Sequence, residues 1–260
     1  MRFMSPSPIN VIMLAAGIGK RLGGGKPDFP PKCLLEFAGR SLLERHLDIL
    51  QSLDAVSSMT MVVGYESDKI KAAVATYQLT IQPEFILNDR FDRGSNLSLW
   101  HAFKALTQGL PVLFMDADVL YAPSILEKLV SDTGKSVVPF DSGFEPGDEP
   151  VKVCFENDRV VEFGKCVDVS FDQAGEWPGF MRLSPAVAAS IADILDRQVE
   201  DGNIDAPYED AFREVILSAP EDSFEFFDVK GIPWIEIDFP EDLERADSII
   251  APQLKNLRET

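Results

Sequence analysis

The sequence predicts an α/β fold: an open, mostly parallel mixed sheet with helices on both faces, plus a small β-rich insertion. Three observations carry this. Short apolar runs recur, each closed by a glycine, a proline or a polar residue, as buried parallel strands are. Segments with helical spacing of apolar residues separate them, so strand and helix alternate five times before residue 140. A glycine-rich loop follows the first strand directly.

Taken in order, Asn10 to Ala15 is the first strand. Arg40 to Leu53 is an amphipathic helix, with Leu42, Leu43, Leu47, Ile49 and Leu50 on its stripe and His46 among them as a structural or exposed residue rather than a ligand. Thr60 to Val63 is a strand closed by Gly64, Ser67 caps a helix to Thr76, and Glu84 to Leu87 is a strand ending at Asn88. Gly94 and Ser95 open a helix over Asn96 to Leu106. Val112 to Met115 is an apolar strand ending in Asp116-Ala117-Asp118. Pro123 begins a helix, and Ser136 to Pro139 is a fifth strand. The segment Asp141 to Pro150, with two prolines, two glycines and four acids, is an exposed connection. A hairpin follows, Val151 to Phe155 and Val160 to Phe163, then a strand at Gly179 to Leu183 and helices at Pro185 to Gln198 and Tyr208 to Leu217. Strands at Phe224 to Val229 and Trp234 to Asp238 precede a last helix from Pro240. The chain reads as a single domain, residues 1–260. Its nucleotide-binding core is expected over about 8–140 and 223–250, and its acceptor-binding part over about 141–222.

Composition narrows the functional classes. With 24 Lys+Arg against 43 Asp+Glu the formal charge is −19, which repels nucleic acid and anionic membrane. Solubility accounts for most of that charge, but phosphates approaching so acidic a protein need local cations or metal ions. Three cysteines, Cys33, Cys154 and Cys166, show no framework spacing and point to a reducing compartment, with Cys33 a small buried residue. MRFMSPSPIN lacks the apolar core of a signal peptide, so a cytoplasmic protein without a membrane span is expected, monomeric or homodimeric.

The loop after the first strand carries the strongest chemical signal. Gly17, Gly19, Gly23, Gly24 and Gly25 are interspersed with Lys20, Arg21 and Lys26, and Lys32 follows Pro30-Pro31. Glycines let backbone amides approach a phosphate, while guanidinium and ammonium groups meet its oxygens. The loop is neither a Walker sequence nor a full dinucleotide fingerprint, and a bare glycine turn after a strand also occurs without a ligand. Further along, Asp116 and Asp118 end an apolar strand, where alternation places them on one side of the sheet. Trp234-Ile235-Glu236-Ile237-Asp238 again ends an apolar strand in an acid. Turn chemistry explains one such aspartate as readily. Two near a polyphosphate suit Mg²⁺, which binds a couple of carboxylates together with phosphate oxygens.

LAAGIGKRL followed by PPK resembles the signature L-A-A-G-x-G-x-R-(L/M) then P-K of the sugar-phosphate nucleotidylyltransferase superfamily. The match falls on Leu14, Ala15, Ala16, Gly17, Gly19, Arg21, Leu22, Pro31 and Lys32. FMDADVLY and WIEIDFPEDLERA are similar to the two metal-binding segments of that superfamily, with Phe239 where relatives carry a small hydroxyl residue. The resemblance implies a Rossmann-like nucleotidyltransferase fold and Mg²⁺, or Mn²⁺ in its place, on Asp118 and Asp238. It also implies a nucleotide along Leu14 to Gly19 and Lys20, with Arg21 and Lys32 on the reacting phosphates and Asp116 nearby.

The stretch Asn88 to Leu99, with Gly94, Ser95 and Asn96, resembles the branch that uses CTP with phosphocholine, phosphonate or inositol-phosphate acceptors. There it lies against the base, and the Asn96 amide with the Ser95 hydroxyl could serve a cytosine. Glu176-Trp177 to Ser184 and Tyr208-Glu209-Asp210 are similar to that branch's acceptor segments. A carboxylate beside aromatics suits an ammonium group. Glu176, Trp177, Tyr208 and Asp210 are therefore expected around a cation, with Lys152 or Arg182 on an anion, although Trp177 in its Pro-Gly loop fits simple packing equally well. The activity implied is CMP transfer from CTP to a small, amine-bearing phosphate or phosphonate. A sugar-1-phosphate, inositol-phosphate or molybdopterin-type transferase, and a non-catalytic nucleotide-binding regulatory module, remain as alternatives.

Overall fold

The computed structural model describes residues 7–23, 26, 29–131, 133–145 and 147–258. Gly24 and Gly25 of the glycine-rich loop, Pro146 of the acidic connection and the first six residues lie outside them. The chain begins with β1 (Ile9–Ala15), then β2 (Glu36–Phe37), β3 (Arg40–Ser41), α1 (Leu42–Ser52), β4 (Val56–Val63), α2 (Ser67–Ala75) and β5 (Glu84–Leu87). It continues through α3 (Ser95–His101), α4 (Phe103–Leu106), β6 (Val112–Asp116), β7 (Val119–Tyr121), α5 (Ser124–Leu129), β8 (Ser136–Phe140), β9 (Lys152–Glu156), β10 (Arg159–Gly164) and β11 (Gln173–Glu176). It closes with β12 (Phe180–Leu183), α6 (Pro185–Glu200), α7 (Glu209–Ser218), β13 (Phe224–Asp228), β14 (Trp234–Glu236), α8 (Pro240–Arg245), a π-helical turn (Ala246–Ile250) and α9 (Ala251–Arg258).

Seven strands form the main sheet in the order β13-β8-β12-β6-β1-β4-β5. All its pairings are parallel except those of β12, which runs antiparallel to both β6 and β8. From β1 the chain builds outward through β4 to β5, then returns to place β6 on the other side of β1. The direction of winding thus reverses between β1 and β6, and ligands of open α/β sheets bind in the crevice beyond such a reversal.

The sequence dictates this arrangement through its alternation. In β1, Ile12 and Leu14 pack into the core on one face, Val11 and Met13 into the core on the other. In β6, Val112 and Phe114 face the first core and Leu113 and Met115 the second. A strand apolar on both sides must be covered on both sides. Helices α3, α4, α6 and α7 cover one face, and α1, α2 and α5 the other. A third cluster, with Leu22, Phe37, Leu120 and Ile237, seats the C-terminal helices beside the glycine-rich loop.

Local chemistry sets several boundaries that differ from the sequence reading. Helix α1 starts at Leu42 because Ser41 and Glu44 exchange hydrogen bonds with each other's backbone amides. Ser67 is not a cap: Glu66, in a left-handed conformation with φ 50°, precedes α2. The helix expected over Asn96 to Leu106 breaks at Ala102, whose ψ of 14° interrupts the ladder. Asp118 does not extend strand β6. It lies in the turn between β6 and β7, so strand alternation is not what places it near Asp116. Of the part expected to bind the acceptor, only β9, β10 and β11 form a separate three-stranded sheet, whereas β12 runs inside the main sheet.

His46 is wholly buried beneath the β6–β7 turn, with Nε2 3.1 Å from the Ala117 carbonyl and Nδ1 3.2 Å from the Tyr121 hydroxyl. Burial lowers its pKa to about 4. The unfolded chain therefore takes up a proton near pH 6.5 that the native state refuses until about pH 4. Stability is full above about pH 6.5 and falls as the pH drops through that window. Urea titrations at pH 7.5 and 5 should differ by about 2 kcal/mol from this group alone, and His46→Gln should remove that increment from the difference.

Candidate active site

The cleft opens where β1 and β6 end. Gly17 and Gly19 turn the chain away from β1, and Gly19 is required sterically. Its φ is +67°, and a Cβ there would stand 3.1 Å from Cγ of Lys32. Lys32 opens a 3-10 turn and sends its ammonium between two distant segments. Nζ lies 2.9 Å from Asp118 and 2.5 Å from Asp238. Burial works against this charge, but Asp118 and Asp238 outweigh it and raise the pKa above that of an ordinary lysine. Arg21 reaches Asp238 at 2.5 Å, pairs with Glu149, and rests its guanidinium 4.8 Å from the centre of the Phe239 ring.

The Asp238 segment is held from both ends. Strand β14 pairs with β7, and the Ile237 amide donates to the Asp118 carbonyl at 3.0 Å. Asp242 accepts from the amides of Asp238 and Phe239 at 3.0 and 2.8 Å. The Phe239 ring supports Arg21, and Asp242 closes the turn. Carboxylate oxygens of Asp118, Glu236 and Asp238 come within 4.8 Å of one another. Hard oxygen donors at such spacing fit Mg²⁺ or Mn²⁺. Glu236 is exposed to the cleft, and its enclosure there together with the neighbouring Asp118 and Asp238 raises its carboxyl above the ordinary range.

Asp116 has a different environment. It is covered by Gly179, whose φ is +81° and where a Cβ would stand 3.0 Å from Oδ2, and it accepts a hydrogen bond from the Tyr208 hydroxyl. Burial and Asp118 raise its pKa well above the ordinary range. Leu14, Ala16, Gly17, Ser95, Asp116 and Asp118 line a cavity of about 280 Å³ with Arg21 and Lys32. Gly19 and Lys20 line an adjoining space of about 260 Å³, and Ala15 a smaller one beside Lys32.

Other expected contacts are placed elsewhere. Asn88 is fully buried, donating to Ser98 and accepting from the Arg90 amide, so it holds its own loop. Gly94 packs on the Asp205-Ala206 backbone, where a Cβ would clash at 2.3 Å. The Asn96 amide does not face the cleft: it donates to the Asn203 carbonyl at 2.7 Å and to Gln198 at 3.2 Å. Ser95 does line the cavity, and its Oγ accepts the Tyr208 amide at 3.0 Å. Arg182 is not near an anion site. It is buried in β12 and donates to the Lys135 carbonyl at 2.5 Å. Lys152 donates to the Lys165 and Pro150 carbonyls and so ties the insertion together. Asp210 is exposed beside Arg213, outside the cavity.

Glu176 is not grouped with Trp177 and Tyr208. It lines a neighbouring acidic cavity of about 350 Å³ with Asp141, Trp234 and Phe239, and burial followed by Asp141 raises its carboxyl to about 7. Trp177 and Tyr208 border the main cavity, but their rings are core residues. Trp177 stacks on Phe114 at 6.0 Å and meets Phe163 and Phe212 edge to face, while Tyr208 packs on Phe114 and Phe212.

Sequence reasoning missed Glu149, Lys165, Glu209, Arg93 and Glu236 as cleft residues. Two of them left a signal: Glu209 lies within the segment that similarity singled out, and Glu236 stands two residues before Asp238, the spacing that singled out Asp116 and Asp118. Among the described residues no helix is long and apolar enough to cross a membrane.

An open α/β sheet with a glycine loop and a carboxylate cluster at its switch point is the architecture of the nucleotidyltransferase fold. The chain belongs to the MobA-like NTP transferase domain family, whose model matches residues 11–165. It is 26% identical over 246 residues to a bifunctional IPC transferase and DIPP synthase of Rubrobacter xylanophilus, covering 93% of this chain and 52% of the relative. It is 25% identical over 268 residues to a CMP-5'-(3-aminopropyl)phosphonate synthase of Streptomyces rubellomurinus, covering 96% and 40%. The chain thus spans about half the length, or less, of these curated relatives. Its fold is shared with the inositol-1-phosphate CTP transferase of T. maritima, at TM-score 0.74 and 20% identity over 97% of this chain and 98% of that one. It is likewise shared with CTP:phosphocholine cytidylyltransferase of Streptococcus pneumoniae, at TM-score 0.70 and 19% identity over 93% and 99%.

The turn at Asp238 makes a direct expectation. Asp242→Ala leaves two amides without their acceptor, a loss of about 1–3 kcal/mol. Thermal unfolding should move down by several degrees, and stabilisation by added Mg²⁺ should shrink with it. An unchanged melting curve and metal response would show that the turn holds itself.

Proposed function

We propose that the protein is a Mg²⁺-dependent cytidylyltransferase that moves CMP from CTP to the phosphate or phosphonate of a small, amine-bearing acceptor. The acceptor class is phosphocholine, phosphoethanolamine or an aminoalkylphosphonate. The observation that supports this most is the convergence of Lys32 and Arg21 with Asp118, Glu236 and Asp238 beneath the glycine loop. The Streptomyces relative, a CMP-phosphonate synthase, and the two CTP-dependent structural neighbours support CTP and a small phosphorylated or phosphonate acceptor.

In this reading an acceptor oxygen attacks the α-phosphorus in line, the bond to the β-phosphate oxygen breaks, and pyrophosphate leaves. No protein nucleophile is needed, since position and charge do the catalysis. Arg21 meets the leaving pyrophosphate, and Lys32 draws the acceptor's anion against the α-phosphate. The bare backbone at Gly17 and Gly19 admits the phosphates, and Ser95 stands toward the nucleoside. Asp118, Glu236 and Asp238 would hold the divalent ion, which supplies positive charge to phosphate oxygens that carboxylates would otherwise repel.

A second reading, transfer to an inositol phosphate, is favoured by the T. maritima neighbour, an inositol-1-phosphate CTP transferase. Pyrophosphate release from each of the four NTPs, with phosphocholine, phosphoethanolamine, 2-aminoethylphosphonate, inositol phosphate and glucose-1-phosphate, separates the two. CTP with an amine-bearing acceptor should lead. Efficient use of a polyol phosphate with no response to the amines would replace the first reading by the second.

Two sets of variants test the machinery. Lys32→Ala and Arg21→Ala should each slow turnover by about tenfold to a thousandfold, the scale for one preorganised charge-stabilising group; both should still fold, Lys32→Ala with a lower melting temperature because Asp118 and Asp238 lose the cation between them. Asp118→Asn and Asp238→Asn should be nearly inactive and should lose the rise in melting temperature that Mg²⁺ gives the parent protein. Asp116→Asn, whose partner is Tyr208, should keep more of both. EDTA should abolish activity and Mg²⁺ or Mn²⁺ restore it.

A further inference from the structure

The backbone leading to Asp118 is tied down residue by residue. The Asp116 amide donates to the Gly179 carbonyl at 3.0 Å, and the Ala117 amide to the Leu14 carbonyl at 3.1 Å. The Asp118 carbonyl accepts the Ile237 amide at 3.0 Å. The Ala117 carbonyl, directly before Asp118, lies in the turn after β6, and its partner is a side chain. Nε2 of His46, 71 residues earlier on α1, stands 3.1 Å from it. Ala117 and His46 are both buried. A buried carbonyl without a donor is costly, so losing the imidazole would drive this turn toward another donor and carry Asp118 with it.

The two partners of His46 fix its tautomer. A carbonyl only accepts, so Nε2 carries the hydrogen. A neutral imidazole has one N–H, so Nδ1 accepts, and the Tyr121 hydroxyl donates to it at 3.2 Å. The Tyr121 ring also stacks on the imidazole, with centroids 5.4 Å apart and planes 19° apart. Tyr121 lies in β7 opposite Trp234 of β14, the strand that ends in Glu236 and leads to Asp238. His46 therefore reaches both carboxylate-bearing segments through their backbones. It does so from a rigid base, since Leu43, Leu47, Ile49 and Leu50 pack α1 into the second core.

We propose that His46 is a positioning residue for the divalent-ion site: its Nε2–H holds the turn that carries Asp118, and its Nδ1, through Tyr121, braces the strand that carries Glu236. The inference rests on the metal role of Asp118, Glu236 and Asp238 proposed above. It adds the group that sets their spacing. The imidazole touches no substrate and transfers no proton.

The test follows melting temperature as Mg²⁺ is raised and reads the concentration that gives half the rise. His46→Leu, close in size but without either nitrogen, should raise that concentration about tenfold, the lower end of the scale for groups that orient metal ligands. The Mg²⁺ needed for half-maximal turnover, with CTP and the acceptor that leads the panel above, should rise with it. His46→Gln, whose amide N–H can still donate to the Ala117 carbonyl, should stay close to the parent. Val187→Ala, in the core on the other face of the sheet, should lower the melting temperature and leave the Mg²⁺ half-point in place. A His46→Leu half-point equal to the parent's overturns the proposal, and so does a Val187→Ala shift as large as that of His46→Leu. Where His46→Leu does not fold, Tyr121→Phe decides, since it removes only the hydroxyl: a raised half-point supports the proposal and an unchanged one overturns it. A parent protein whose melting does not respond to Mg²⁺ overturns the metal reading and this inference together. A responding parent with an unmoved His46→Leu overturns this inference alone.

Discussion

The ammonium of Lys32, placed between Asp118 and Asp238, is the interaction on which the rest of the cleft depends. It joins three stretches that the chain keeps far apart: the glycine-rich loop, the turn after β6 and the strand end before α8. Two carboxylates facing each other in a partly enclosed cleft repel, and the lysine between them offsets that repulsion. Its cost is equally plain. Burial opposes the charge, and only the two aspartates restore it. Truncating one partner of such a group therefore leaves the others uncompensated, which is more damaging than the loss of a surface pair.

Around that contact the sheet does the positioning. Strands β1 and β6 are apolar on both faces and packed from both sides, so their ends are rigid. The ligand-facing groups begin where the apolar alternation stops, at Ala15 on one strand and Asp116 on the other. The divergence in winding between these two strands leaves the crevice open. Backbone at Gly17 and Gly19 can therefore lie bare at a fixed place, with Lys32 packed against Gly19.

Legibility in the sequence followed physical type. Repeating patterns were readable: alternation gave the strands of the main sheet, helical spacing gave α1 and α6, and local motifs gave Gly17, Gly19, Arg21 and Lys32 beside the cleft. The two-residue strands β2 and β3 carry too little periodicity to be seen, and β11, Gln173–Glu176, has no apolar run to mark it. The partners of polar side chains were least readable, because they are set by tertiary geometry. Asn96 has the amide a base would need, yet the chain around Asn203 takes it. Arg182 has the charge an anion would need, yet β12 lies within the sheet and its guanidinium meets the Lys135 carbonyl. Lys152 is spent on backbone carbonyls in the same way.

The sharpest case is the pair Asp210 and Glu209. Sequence similarity draws attention to the segment but does not distinguish neighbours, and a helix start turns adjacent residues in different directions. Tyr208 fixes the phase: its ring packs on Phe114 and Phe212 and its amide is held by Ser95. With that residue anchored, Glu209 comes to the cavity and Asp210 to solvent. The same core packing that places Glu209 also draws the Trp177 and Tyr208 rings into the core, while half-buried Phe91 still lines the cavity. One set of contacts therefore withdraws two rings and brings a carboxylate to the cavity, whose character follows from how its wall is packed.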